Sequence, residues 1–239
     1  MNSPQITDRE VIAFDSPHPC SYLPGRTAVL PLRYQRGPVT PEEFDACLAA
    51  GDRRTGEFLY RTACPECRAC EPIRLDLTRF SPNQTQRREL RKGNEILRVE
   101  IAAPVVDPKR IELYNRHQSV RGLSDGEGKM DEDAYHEFLA ASCCPTLEFS
   151  YYAGRDLVAV AIADAGATSL SAVYCYFDPH FSGVSLGTYS ILRQVEFCRQ
   201  TERRYLYLGF YIAQSPHMSY KARFHPHERL IRGQWQEFA

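Results

Sequence analysis

Long apolar runs are missing from this 239-residue chain: no 18-residue stretch is wholly apolar, which excludes a membrane-spanning helix. Met1 to Glu10 has no apolar centre and carries Asp8, Arg9 and Glu10, so a cytoplasmic location and no membrane partner are expected. An excess of either charge is also missing. With 29 Lys+Arg against 30 Asp+Glu the net charge is −1, which excludes a uniformly basic nucleic-acid binder and leaves only local patches for such contacts. There is no internal repeat and no low-complexity tract. HExxH and P-loop patterns are absent, and the seven histidines show no metal-ligand spacing. What remains is a globular composition, 43% apolar and 25% charged. The nine cysteines are an odd number, expected to be reduced.

Along the chain, the first thirty residues are broken by Pro17, Pro19, Pro24 and Pro31 and read as irregular. Thr40, Pro41 and Glu43 open a helix that Gly51 closes. Strands are expected at 57–61 and 73–77, a charged helix from Ser81 to Lys92 ended by Gly93–Asn94, and a strand at 97–103. Beyond Pro104 to Pro108 come helices at 110–120 and 132–142 around a Gly- and charge-rich loop, 121–129. Three segments, 146–153, 157–165 and 169–177, alternate as a meander should. A loop to Leu186, a helix from Gly187 to Glu202 and a strand at 205–210 complete the order. The expected fold class is α+β: a mixed sheet flanked by helices in the element order of N-acetyltransferases (GNAT-like), with an N-terminal cysteine-containing subdomain. The division falls at 1–104 and 105–239.

The sharpest local signal is Cys64-Pro-Glu-Cys67-Arg-Ala-Cys70. Thiolates two residues apart across a tight turn can share one tetrahedral ion, and Cys20 could supply a fourth ligand. The alternative is a turn of reduced thiols. Two segments are locally basic, each with a net charge of +4: Arg79 to Arg98 and Arg199 to Ala239. Such patches can pair phosphates or simply be solvated. Ser185-Leu-Gly187-Thr188 opens a helix directly after a strand, where backbone N–H groups can meet a phosphate. Tyr220-Lys221-Ala-Arg223-Phe224 alternates cations and aromatics, as a site for stacked bases or carboxylates does.

Taken in order, Pro19-Cys-Ser-Tyr-Leu-Pro24, Arg53-Arg-x-Gly56, Cys64-x-x-Cys67-x-Ala-Cys70-x-Pro-Ile-Arg74, Ser185-Leu-Gly-Thr188, Leu206-Tyr-Leu-Gly209 through Pro216-x-Met218-x-Tyr-Lys221, and Gly233-x-Trp235 resemble the aminoacyl-tRNA–protein transferases. The likeness is to their bacterial short form, the aspartate/glutamate leucyltransferases related to arginyltransferases, and runs from about Pro19 to Trp235. It implies transfer of leucine from leucyl-tRNA to the α-amino group of proteins beginning with Asp or Glu, marking them for degradation. It also implies zinc or an iron–sulfur cluster near Cys20 and Cys67, and no nucleotide cofactor. Two departures stand out: Ser215 replaces a cysteine, so no thiol nucleophile there is essential, and Arg121–Gly122 stands where relatives carry Arg-His.

The chemistry suits these residues. An aminoacyl ester is already activated and an α-amine titrates near 8. Positioning can therefore supply up to roughly 7–11 kcal/mol and an oxyanion donor about 3 kcal/mol. The expected catalytic residues are Tyr220 and Lys221. Tyr207, Tyr211 and Arg223 line the substrate pocket, with Arg54 or Arg74 nearby, and Ser185, Gly187 and Thr188 meet the tRNA 3′ end. Arginyl-tRNA as donor, an acetyl-CoA-dependent N-acetyltransferase and a zinc-stabilised RNA-binding module are the alternatives.

Overall fold

In a computed structural model, which describes residues 9–123 and 128–239, the proline-broken start is not irregular. It pairs into β1 (Glu10–Phe14), β2 (His18–Pro19), β3 (Thr27–Ala28) and β4 (Leu32–Gln35). Prolines interrupt hydrogen-bond ladders, and here Pro17, Pro24 and Pro31 fall between short strands while Pro19 ends one. Residues 1–8, and 124–127 of the expected loop at 121–129, lie outside the described residues.

Thr40 and Glu43 form a reciprocal capping box at the start of α1 (Pro41–Ala49), as expected. The chain then forms β5 (Arg53–Thr55) and β6 (Phe58–Tyr60), which join the first strands in a small sheet of order β1-β4-β6-β5. The cysteine loop leads straight from that sheet into β7 (Glu71–Asp76), followed by α2 (Gln84–Ile96) and β8 (Arg98–Ala102). Gly93 does not end α2. It lies inside the helix, where an added β-carbon would meet the Tyr189 ring at 2.2 Å, so glycine is there for close packing.

After α3 (Pro108–Arg121) comes α4 (Glu132–Tyr135), which widens into a π-helical turn, His136–Ala140. The meander follows as β9 (Thr146–Ala153), β10 (Asp156–Ala165) and β11 (Ser169–Phe177), then α5 (Leu186–Gln200) and β12 (Tyr205–Tyr211). Beyond β12 the chain continues in short elements. A helical turn α6 (Pro216–Ser219) runs into a 3₁₀ turn, Tyr220–Arg223, and the chain ends in a hairpin of β13 (His227–Ile231) and β14 (Gln234–Phe238) that sequence patterning did not reveal.

All of this assembles an eight-stranded sheet of order β14-β13-β7-β12-β11-β10-β9-β8, antiparallel except where β11 meets β12. Helices cover both faces. On β10, Ala159, Ala161 and Ala163 face the core beneath α5, while Val160 and Ile162 face Leu113, Tyr114 and Leu139 on the α3–α4 side. A strand buried on both faces must be apolar throughout, which is how this run reads. The 104/105 division falls between β8 and α3, with elements from both sides of it in the one sheet. No helix among the described residues is long and apolar enough to cross a membrane.

Candidate active site

The one parallel pairing is short. Only Ser169–Ser171 of β11 lie in register with Tyr205–Tyr207 of β12, although both strands run on. An extra residue in the β10–β11 register between Ala172 and Tyr174 bends β11, and a shift in the β12–β7 register between Tyr207 and Gly209 bends β12. The strands part and leave polar backbone groups facing a gap, which need partners.

Arg53 enters that gap from the small sheet. Its guanidinium donates to the Ser171 hydroxyl and the Ala172 carbonyl, both at 2.7 Å, at the level where ladder pairing stops. From the other side Lys221 donates through its Nζ to the Phe210 carbonyl at 2.9 Å. The register partner of Phe210 on β7 is Pro72, which has no N–H to offer. Between the cations lies Gly209, with φ of +88°. A β-carbon there would stand 3.2 Å from the Lys221 Nζ and 3.3 Å from Arg53, in a conformation that side chains seldom adopt.

Both cations are buried, and among the described residues neither has a carboxylate at ion-pair distance. Burial, and then the Arg53 charge, pull the Lys221 pKa down to about 7. Burial lowers Arg53 as well, against the raising influence of Tyr60. Tyr60 stacks edge-on with Phe210 at 6.2 Å. It also lines, with Tyr22, Cys20, Cys64 and Cys70, a cavity of about 30 Å³, room for little more than a water molecule.

The 3₁₀ turn carrying Lys221 also carries Tyr220 and Arg223, which face a larger cavity of about 470 Å³. Its walls are α2, through Gln86, Glu89 and Lys92, and the start of α5, through Ser185 and Thr188, with Val184 and Phe224 as apolar surfaces. Burial, then Cys175, raise the Tyr220 pKa to about 12, so its hydroxyl keeps its proton at neutral pH. At the opening of α5 the Glu89 carboxylate accepts from the Ser185 N–H at 2.9 Å. One turn thus separates the buried Arg53–Lys221 pair from a mixed, half-apolar cavity.

Of the residues expected from sequence, Tyr220, Lys221, Arg223, Ser185 and Thr188 converge here. Gly187 sits in the first turn of α5, where a β-carbon would meet Phe177 at 3.8 Å. The others are engaged elsewhere. Arg54 is fully enclosed on Asp164 at 2.8 Å and donates to the carbonyls of Gly56 and Ala141. Its neighbour Arg53, which sequence reasoning passed over, reaches the gap because successive strand residues point to opposite faces. Arg74 pairs with Glu228 at 2.6 Å, donates to the Tyr207 hydroxyl at 3.0 Å and stacks between Tyr205 and Trp235, each 4.0 Å away. Tyr211 lies beneath Arg229, 4.6 Å from its guanidinium.

The four candidate thiols share a neighbourhood. Burial raises the Cys70 pKa to about 12, with Cys20, Cys64 and Cys67 adding to the effect. Cys64 is turned to the backbone of Val29, and among the described residues no three Cys, His, Asp or Glu side chains converge as ligands. No step below runs through a metal ion or cluster.

The overall fold is found among solved structures. It matches the C-terminal domain (DUF2156) assigned to lysylphosphatidylglycerol synthetase in Agrobacterium fabrum, at a TM-score of 0.51 and 13% identity. The match covers 71% of this chain and 58% of that one, and speaks for the fold alone. Sequence identifies the family. The model of the arginine-tRNA-protein transferase N terminus matches residues 18–88 and that of the C terminus residues 109–231. The aspartate/glutamate leucyltransferase of Saccharophagus degradans is 39% identical, with 93% of this chain and 94% of that protein covered. Its counterpart in Thiobacillus denitrificans is 36% identical over 91% and 90%, and that in Vibrio cholerae 33% over 94% and 96%. The chain belongs to the arginine-tRNA-protein transferase family.

Proposed function

We infer that this protein is an aminoacyltransferase that moves leucine from leucyl-tRNA to the α-amino group of proteins beginning with Asp or Glu, marking them for degradation. The observation that carries the reading is the buried pair of basic groups, the Arg53 guanidinium and the Lys221 amine, neither of which has a carboxylate at ion-pair distance among the described residues. Buried charge without a paired counter-charge is costly, so the pair favours an anion brought by a ligand. The side-chain carboxylate of an N-terminal Asp or Glu supplies one. The names of the relatives support leucine over arginine as the group transferred.

In this reading the gap between β11 and β12 serves as it does in N-acetyltransferase-like folds, as the place where acyl donor and amine meet. Arg53 receives the acceptor carboxylate. Lys221, largely neutral just above pH 7, takes the proton that the α-ammonium must lose, and the resulting ammonium pairs with the bound carboxylate. The freed amine attacks the ester carbonyl of leucyl-tRNA. A C–N bond forms, the ester C–O bond breaks, and the terminal ribose hydroxyl leaves with a proton. The Tyr220 hydroxyl, protonated at neutral pH, donates to the oxyanion. Val184, Tyr220 and Phe224 offer the leucine side chain an apolar wall, while Lys92 and Arg223 face the 3′-terminal phosphates. Glu89 speaks against acetyl-CoA as donor, because its carboxylate holds the α5 N–H that a pyrophosphate would need.

The test is transfer of radiolabelled leucine from leucyl-tRNA to peptides beginning with Asp, Glu, Asn or Gln, run beside arginyl-tRNA and acetyl-CoA. Label is expected on the Asp and Glu peptides from leucyl-tRNA. Equal labelling of the Asn and Gln peptides would remove the role given to Arg53 and Lys221, and no labelling would overturn the reading.

A further inference from the structure

Helix α2 carries four cations, Arg87, Arg88, Arg91 and Lys92, all exposed. Some basic residues elsewhere on the surface are tied down: Arg79 pairs with Glu237, Arg98 with Glu100 and Arg193 with Glu196. Among the described residues, none of the four on α2 forms an ion pair. Of the two acidic residues of the helix, the Glu89 carboxylate is turned to the Ser185 N–H, and Glu95, one turn from Arg91, forms no ion pair among the described residues.

Helical spacing decides where these charges sit. Residues three and four apart share a face, so Arg88 lies on the stripe between Thr85 and Lys92, both of which line the 470 Å³ cavity. Arg87 and Arg91, also four apart, form the neighbouring stripe outside the cavity mouth. The helix is fixed from below. Asn83 and Gln86 form a capping box at its start, Gln86 donates to the Arg223 carbonyl at 3.2 Å, and Gly93 sits on Tyr189. Thirteen residues span about 20 Å, long enough to follow several successive phosphates of a nucleic-acid strand leading to the cavity.

We propose that this face of α2 is the docking surface for the acceptor stem of the donor tRNA, gripping the stem backbone while the 3′ end enters the cavity beside Lys92 and Arg223. The proposal rests on the reading of the cavity as the donor site. It assigns the stem to phosphate contacts without base reading, so the surface supplies affinity common to different acceptor-stem sequences, and the cavity selects the amino acid. Contacts of this type release counterions, each neutralised phosphate adding about 0.7–0.9 to the slope of log K against log salt.

The experiment compares the native protein with R87E/R91E and R88E/K92E, and with R155E in the β9–β10 turn as a charge-reversal control. Binding is measured by fluorescence anisotropy to an acceptor-stem minihelix, to a single-stranded 3′-terminal tetranucleotide and to a DNA duplex of equal length, at several salt concentrations. The α2 variants are expected to lose at least tenfold in affinity for the minihelix with a salt slope shallower by about 1–2, and to raise the KM for leucyl-tRNA correspondingly. R87E/R91E should still bind the tetranucleotide within twofold, and R155E should resemble the native protein. Unchanged minihelix affinity and slope in both α2 variants would overturn the proposal. So would native binding to the DNA duplex as tight as to the minihelix, which would mark a nonspecific polyanion surface. Circular dichroism and the unfolding midpoint confirm that each variant is folded. Transfer by the native protein is scored separately: its failure would sink the functional reading, whereas native transfer with insensitive α2 variants sinks only the docking surface.

Discussion

Arg53 and Arg54 are adjacent, both buried and both hydrogen-bonded, yet the structure gives them opposite tasks. Arg54 neutralises Asp164, which has no exposure at all. Removing it strands a buried carboxylate, which should cost about 3–5 kcal/mol. Arg53 holds a hydroxyl and a carbonyl, so Arg53→Ala should cost less, about 1–3 kcal/mol, and leave no orphaned charge. Denaturant unfolding of the two variants should therefore separate them in that order. Transfer assays at a temperature where both are folded should show the reverse ranking, with the greater loss for Arg53→Ala. Lys221 adds a pH signature. In the unfolded chain its amine titrates near 10.4, and in the folded chain at about 7. Between those values the unfolded state holds the extra proton, so stability rises with pH across the window, at a slope approaching about 1.4 kcal/mol per pH unit. Below about pH 7 both states are protonated and the burial penalty is felt in full. Lys221→Met should lack that rise and equal or exceed native stability at pH 6, while its kcat/KM for an Asp peptide falls by about 10²–10⁴-fold. A native unfolding midpoint that stays flat from pH 7 to 10, relative to Lys221→Met, would remove the depressed lysine.

At the scale of elements, legibility followed how local the determining interaction is. The capping box at Thr40, the meander and the strand at 205–210 were readable because caps and alternation are written within a few residues. The end of α2 was misread at Gly93 because its reason lies in Tyr189, nearly a hundred residues away. The strands before Pro41 and the β13–β14 hairpin were missed for a related reason. They are short, proline-rich or polar, and held by partners distant in the chain, such as the Trp235 indole donating to the Ala49 carbonyl at 3.0 Å. For the site, the turn at 220–223 was legible as alternating cations and aromatics. Which of two neighbouring arginines reaches the gap was not, because a strand alternates faces and only the sheet beside it fixes which face looks inward.

At the scale of the molecule, the parted strands depend on both halves of the chain at once. β11 and β12 come from the C-terminal half, but β12 is flanked by β7, with which it is paired from Tyr205–Asp76 to Tyr211–Glu71, and Arg53 arrives from the small N-terminal sheet. Ile73, Leu75 and Leu77 belong to the same core as Leu192, Leu206 and Leu208. A fragment spanning 105–239 would carry the meander, α5 and the 220–223 turn, yet it would expose the β12 edge, lose those core residues and leave the Ala172 carbonyl without Arg53. An edge of that length and hydrophobicity invites association between chains. The fragment should accordingly show no cooperative urea transition and a weak near-ultraviolet circular dichroism signal, and adding a 1–104 fragment should restore both together with transfer activity. A cooperative transition in 105–239 alone would mean that the C-terminal half closes its own sheet. The gap would then be a property of β11 and β12 themselves rather than of the arginine that the other half inserts between them.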